Sequence, residues 1–161
     1  EHGIDGRWDM IIAHPPCTYL TLAGNKWFNP EFEPRFPDRR ARREEAVEFF
    51  MKFVNADCDK IAIEKPNGIM STLYRKPDCT YNPYDFKSET ECKKTCLWLK
   101  GLPSLVPNQE LPKDMRTHGI WKGHFDGKCY AWNNPETAKL RSKTPLGVAK
   151  AMAKQWGGEL N

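Results

Sequence analysis

Two short apolar runs, each halted by proline, constrain this chain more than anything else in it. Residues 8–13 read WDMIIA and run into HPPC; residues 60–66 read KIAIEKP. Between them Ala46, Phe49, Phe50, Phe53 and Val54 recur at helical spacing. That spacing predicts an amphipathic helix over about 39–56, with Asp38 as its cap. Strand, helix and strand at these intervals predict a right-handed βαβ unit whose two strands are parallel and buried.

The later chain is less regular. TYNPYDF (80–86) and TCLWLKG (95–101) are rich in β-formers and predict an antiparallel pair. Residues 102–135 are punctuated by glycine and proline and show little periodicity. A last helix is expected from Thr144 as cap and Pro145 at its first position. Val148, Ala149, Met152, Ala153 and Trp156 form its stripe, and Gly157–Gly158 stop it. No repeat and no dividing linker is visible. The expectation is a single domain over 1–161, with 102–138 as an irregular, loop-rich insertion.

Composition narrows the class. The chain has 161 residues, 39% hydrophobic and 29% charged, with a net charge of +4. It is long enough to bury a core unaided, and too weakly basic for its charge alone to demand a polyanionic partner. No apolar run has the length of a membrane span or the form of a signal-peptide core. Six cysteines without such a signal suggest free thiols in a reducing compartment. The first residue is Glu1 rather than methionine, as in a processed product or a piece of a longer protein.

In an open parallel sheet, ligands gather beyond the carboxyl ends of the strands. Cys17 lies just past the first strand end and Glu64 at the second. Prolines fix φ and remove donors, so HPPC holds the thiol on a stiff loop, as covalent catalysis needs. His14 offers a cation to that thiol from three residues away. Each residue also has a plainer reading: Cys17 as a small buried side chain, Glu64 as the ion-pair partner of a lysine. Arg39, Arg40, Arg42 and Arg43 crowd the start of the expected helix, where the dipole disfavours them. They suit either a solvated surface paired with Glu44 and Glu45 or a phosphate contact. Cys79, Cys92, Cys96, Cys129, His118 and His124 supply enough ligands for zinc, but no C-x-x-C pair exists and no metal is assigned.

PPC after an apolar strand, then I-E-x-P some 45 residues later, resembles the DNA cytosine carbon-5 methyltransferase family. Four ordered blocks carry the likeness: WDMIIAHPPCTYLTLAG, DCDKIAIEKPNGI, KKTCLWLKGLPSLVP and RSKTPLGVAKAMAKQW. They are most similar to phage-encoded proteins of this type. The resemblance implies an α/β, Rossmann-like S-adenosylmethionine-dependent methyltransferase fold, a parallel sheet with a late antiparallel hairpin. It also implies methylation of cytosine in DNA, and a cytoplasmic place in a bacterial host. Cys17 would be the nucleophile and Glu64 the acid that contacts the base. Pro16, Thr18, Lys65, Lys93, Lys94, Thr95 and Arg141 would bind substrate; Pro15, Ser142 and Thr144 would line the methyl-donor site. Tyr19, Trp27 and Phe28 could shield the base or simply pack their loop down. The sequence departs from the family at four places, one being that no separate target-recognition domain is obvious and residues 105–138 are short for one. Lys65 replaces an asparagine. Lys93, Lys94 and Thr95 stand in for an arginine-rich block. Only EHGIDGR precedes the Pro-Cys block, where the family has a strand and a glycine-rich turn, so the expected fold is N-terminally incomplete. The alternative is a non-catalytic nucleic-acid-binding phage accessory protein that has lost the donor site.

Overall fold

The computed structural model describes residues 8–117, 124–125, 128–129, 135, 139 and 142–158. It is an α/β structure with a four-stranded mixed sheet and, among the described residues, three α-helices. The chain divides into two compact units. One comprises Glu1–Thr80 with Thr95–Ser104, the other Tyr81–Lys94 with Leu105–Asn161.

The first unit is built on the expected βαβ element. Strand β1 (Ile11–Ala13) pairs in parallel with β2 (Ile61–Pro66), in the register Ile11↔Ile61 through Ala13↔Ile63. Helix α1 (Arg39–Val54) connects them. Asp38 is its N-cap residue but forms no side-chain capping bond. After β2 comes one short helix, α2 (Met70–Leu73), and then β3 (Cys79–Tyr81) and β4 (Thr95–Lys100). The sheet order is β1-β2-β4-β3. β4 therefore lies against β2, antiparallel, from Ile61↔Lys100 to Pro66↔Thr95. The expected 80–86 strand is cut short at Tyr81. Pro83 removes an N–H, and Pro83–Asp85 form a 3₁₀ turn closed by a capping box between Asn82 and Asp85.

The α1 stripe packs as its spacing predicts except at Phe49, which is exposed. Phe50 is fully buried and meets Trp98 of β4 edge-on at 5.4 Å and Tyr74 at 6.1 Å. Ala13, Leu20, Cys58, Ile61, Ile63, Met70 and Cys96 complete this core. Ala46, Phe53 and Val54 pack at its margin.

The second unit contains helix α3 (Leu146–Trp156), with Val148, Ala151, Met152 and Trp156 buried. Its N-cap residue is Pro145, not Thr144. The ψ of Pro145 is 135°, still extended, so the first helical residue is Leu146. The Gly147 amide donates to Glu89 at 2.7 Å, and Gln155 exchanges two hydrogen bonds with the Val106 backbone. Residues 102–117 hold one 3₁₀ turn, Lys113–Met115, in keeping with the expected irregularity. Further on, β5 (His124–Phe125) and β6 (Lys128–Cys129) form a small antiparallel ribbon.

Phe50→Ala is expected to lower the unfolding free energy by about 3–5 kcal/mol, as for other buried large-to-small changes. Phe49→Ala, one position round the helix and 36% exposed, should cost far less. Urea unfolding midpoints of the two variants measure the difference.

Candidate functional site: the rim beyond β1 and β2

The parallel register carries both strands to one sheet edge. One residue past Ala13↔Ile63, His14 and Glu64 stand side by side, with Nδ1 and Oε2 2.7 Å apart. Their side chains are 38% and 14% exposed, so the carboxyl is shielded while the ring reaches solvent. His14 thus engages Glu64 and orients its carboxyl.

Ile61, Ile63 and Lys65 share one face of β2 by strand alternation. Lys65 therefore occupies a position that the pattern reserves for a hydrophobe, and it is only 2% exposed. Its Nζ donates to the Pro15 carbonyl at 2.8 Å and to the Pro16 carbonyl. This explains the two prolines. Neither has an N–H with which to extend the strand ladder, and their rigid carbonyls are left for the ammonium. The buried lysine and the double proline complete one another.

Cys17 comes next and its thiol is exposed. Its carbonyl accepts from the amides of Leu20 (3.1 Å) and Thr21 (3.2 Å), so the chain turns immediately. The turn is strapped to the segment after β2. Ile69 donates to the Leu20 carbonyl at 2.9 Å, and Thr21 bridges Gly68. A Cβ on Gly68 would sit 2.1 Å from that Leu20 carbonyl oxygen, so only glycine admits the approach. Thr18 and Pro16 are exposed beside the thiol.

Burial pulls Lys65 down to about 8, while the facing charges of Cys17 and Glu64 act in the opposite direction. The rim thus gathers a thiol and an imidazole just past β1 with a carboxyl and a buried ammonium at the end of β2.

Arg39 and Arg43 of the arginine cluster turn onto the preceding loop, while Arg40 and Arg42 stay exposed. Arg43 donates to the Tyr19 carbonyl (3.0 Å) and to Asn25 Oδ1 (2.6 Å), and covers the Phe28 ring. Arg40 donates to the Phe28 carbonyl, and Arg39 lies over Tyr19, Phe28 and Phe36. Burial, with Arg39 and Arg40 as like neighbours, holds Arg43 below its usual range. Trp27 meets Phe32 and Phe36 edge-on. The 19–36 aromatics are packed down on α1.

The remaining sequence candidates are distributed as follows. Thr95 is buried in β4; Lys94 is exposed and Lys93 half-buried in the other unit. Arg141 lies outside the described residues. For the methyl donor, Pro15 is buried with its carbonyl held by Lys65, and the Ser142 hydroxyl donates to the Lys139 carbonyl at 2.8 Å. Thr144 is exposed. These three do not fit S-adenosylmethionine: none presents an unengaged polar group in a sheltered place. A cavity of about 250 Å³ lies elsewhere, lined by Val54, Ile61, Ile63, Tyr74, Arg75, Trp98, Leu99 and Lys100, toward the start of β2. Among the described residues no three His, Cys, Asp or Glu side chains gather as a metal site. His118 and the side chains of His124 and Cys129 lie outside the described residues.

The His14–Glu64 pairing and the burial of Lys65 both had a sequence signal. Glu64 and His14 sit at equivalent strand ends, and Lys65 falls in phase with Ile61 and Ile63. No family model, no curated protein and no solved structure matches the chain.

Gly68→Ala should push the 17–21 turn off the 67–69 segment and cost about 1–3 kcal/mol, the range for overpacking a tight contact. Thermal unfolding, with hydrogen exchange at the Ile69 amide, reads both effects. A second expectation concerns pH. The unfolded chain keeps the Lys65 proton up to about 10.4, whereas the folded chain releases it near about 8. Between those values the unfolded state binds more protons, so stability rises with pH. The unfolding free energy of the native protein, measured against Lys65→Met, should climb across that window and stay level below it.

Proposed function

We propose that the rim is a pyrimidine-activating centre of the DNA cytosine carbon-5 methyltransferase type, with Cys17 as nucleophile and Glu64 as acid. One observation carries this reading: an exposed thiol on a stapled loop and a shielded carboxyl occupy the carboxyl ends of two adjacent parallel strands. The resemblance of the four sequence blocks supports it.

Cytosine is a weak nucleophile at carbon 5. Addition of the Cys17 thiolate to carbon 6 forms an S–C6 bond and moves the C5–C6 π pair toward carbon 5. Glu64 would hold the N3/N4 edge and support protonation at N3 as charge builds on the ring. His14 keeps the carboxyl aimed. The resulting enamine takes a solvent proton at carbon 5; loss of the original C5 proton to solvent and expulsion of the thiolate then restore the aromatic ring. Activation of the ring is the part of this chemistry that the rim residues support. Methyl transfer would draw on S-adenosylmethionine, which the residues at the proposed donor positions do not fit. The target base must leave the duplex to reach the thiol. Thr18, beside the thiol, is a proposed further substrate contact.

The donor positions favour a second reading, a nucleic-acid-binding protein that keeps the rim and transfers no methyl group. One experiment separates the two. An enamine at carbon 5 exchanges its proton with solvent without any donor. In D₂O, the full chain should place deuterium at carbon 5 of cytosine in an oligonucleotide, read by mass spectrometry. Cys17→Ser should abolish the exchange, and Glu64→Gln should slow it by about 10²–10⁴-fold, the range for loss of an acid–base group. Exchange that survives Cys17→Ser removes the thiol from its role. Binding that weakens steeply with salt, without exchange, selects the second reading.

A further inference from the structure

We infer that Lys65 is the positioning residue of the Cys17 centre: its buried ammonium holds the Pro15 and Pro16 carbonyls, fixes where the thiol leaves the sheet, and sets a cation beside it. The inference rests on the reading of Cys17 as the reacting thiol. It reassigns Lys65 from substrate contact, because a side chain 2% exposed with its ammonium engaged by two carbonyls is turned away from a ligand.

The geometry accounts for the choice of lysine. The two carbonyls of the proline pair accept from one nitrogen, and an ammonium with three donors serves both. The long apolar stem continues the Ile61–Ile63 row, so the side chain packs as a hydrophobe and ends as a cation. A buried charge is retained only where its partners are good. Here they are two main-chain carbonyls, with Cys17 and Glu64 as the facing ionisable groups. A thiolate forming on Cys17 as it reacts meets a positive charge already fixed beside it. The loop is held beside the cation: Cys17 O closes its turn on Leu20 and Thr21, and the Leu20 carbonyl and the Thr21–Gly68 bridge tie that turn to the segment after β2.

The test uses the full chain and iodoacetamide, with alkylation followed peptide by peptide. Cys79 and Cys92, both half-buried and outside the rim, serve as internal controls. Three replacements separate the roles of Lys65. Lys65→Met removes donors and charge, Lys65→Gln keeps donors without charge, and Lys65→Arg keeps both. At about pH 7.5 the Cys17 rate should fall by about three- to tenfold in Lys65→Met, less in Lys65→Gln, and least in Lys65→Arg. Rates at Cys79 and Cys92 should not change. Cys17 is already exposed; the fall shared by Lys65→Met and Lys65→Gln but not by Lys65→Arg reports the lost cation, and the excess in Lys65→Met reports the lost donors. Equal Cys17 rates in the folded variants overturn the inference. Should Lys65→Met fail to fold, the Gln-to-Arg comparison decides in the same way. In the deuterium-exchange assay, Lys65→Met should lower kcat while leaving KM for the oligonucleotide within about twofold, as for a residue that acts through the nucleophile. If the native protein shows no exchange, the pyrimidine reading falls, and the alkylation series still tests Lys65.

Discussion

A single buried ammonium organises the rim of this sheet. Lysine is among the residues least often found inside proteins, because removing its charge from water costs several kcal/mol unless partners replace the hydration shell. Lys65 is nevertheless almost fully enclosed, and its partners are the carbonyls of Pro15 and Pro16. Those carbonyls are suited to the task because the prolines cannot extend the β ladder. β1 must end there, and its last acceptors turn toward the lysine rather than toward another strand. The thiol that follows inherits a fixed exit from the sheet.

The same economy governs the cationic start of α1. Four arginines at a helix N-terminus oppose the dipole. The opposition is offset because Arg39, Arg40 and Arg43 leave the helix surface and serve the loop before it, bonding its carbonyls and covering its aromatic faces. The loop of residues 19–36 has little regular structure, and the arginines and the Trp27–Phe32–Phe36 cluster give it order. The cationic start of α1 thus braces the loop before it through Arg39 and Arg43, while Arg40 and Arg42 remain exposed.

Much of the first unit was legible in advance. Short apolar runs ended by proline, with helical periodicity between them, have few solutions, and a parallel β1–β2 pair around α1 is the one adopted. The TCLWLKG strand was also readable from its β-formers. Its central place, antiparallel to β2, was not, because strand order depends on long-range pairing that local pattern does not encode. The 80–86 segment misled through its aromatics, since Pro83 and the Asn82–Asp85 capping box outweigh strand preference. The start of α3 was placed one residue early, since Thr144 and Pro145 resemble a cap and first turn but Pro145 keeps an extended ψ.

What the amino-acid order determined by itself is the inventory and its placement: a thiol behind two prolines, a carboxyl and a lysine at a second strand end, and the parallel unit that brings those ends to one edge. Strand alternation even put Lys65 in phase with Ile61 and Ile63. Only the tertiary structure decided the partnerships. His14 reaches the carboxyl of Glu64, and Lys65 reaches the proline carbonyls, because each bond spans some fifty residues and depends on the register of two strands. A side chain's neighbours across such a gap are set by packing of the whole core, which no local stretch of sequence contains.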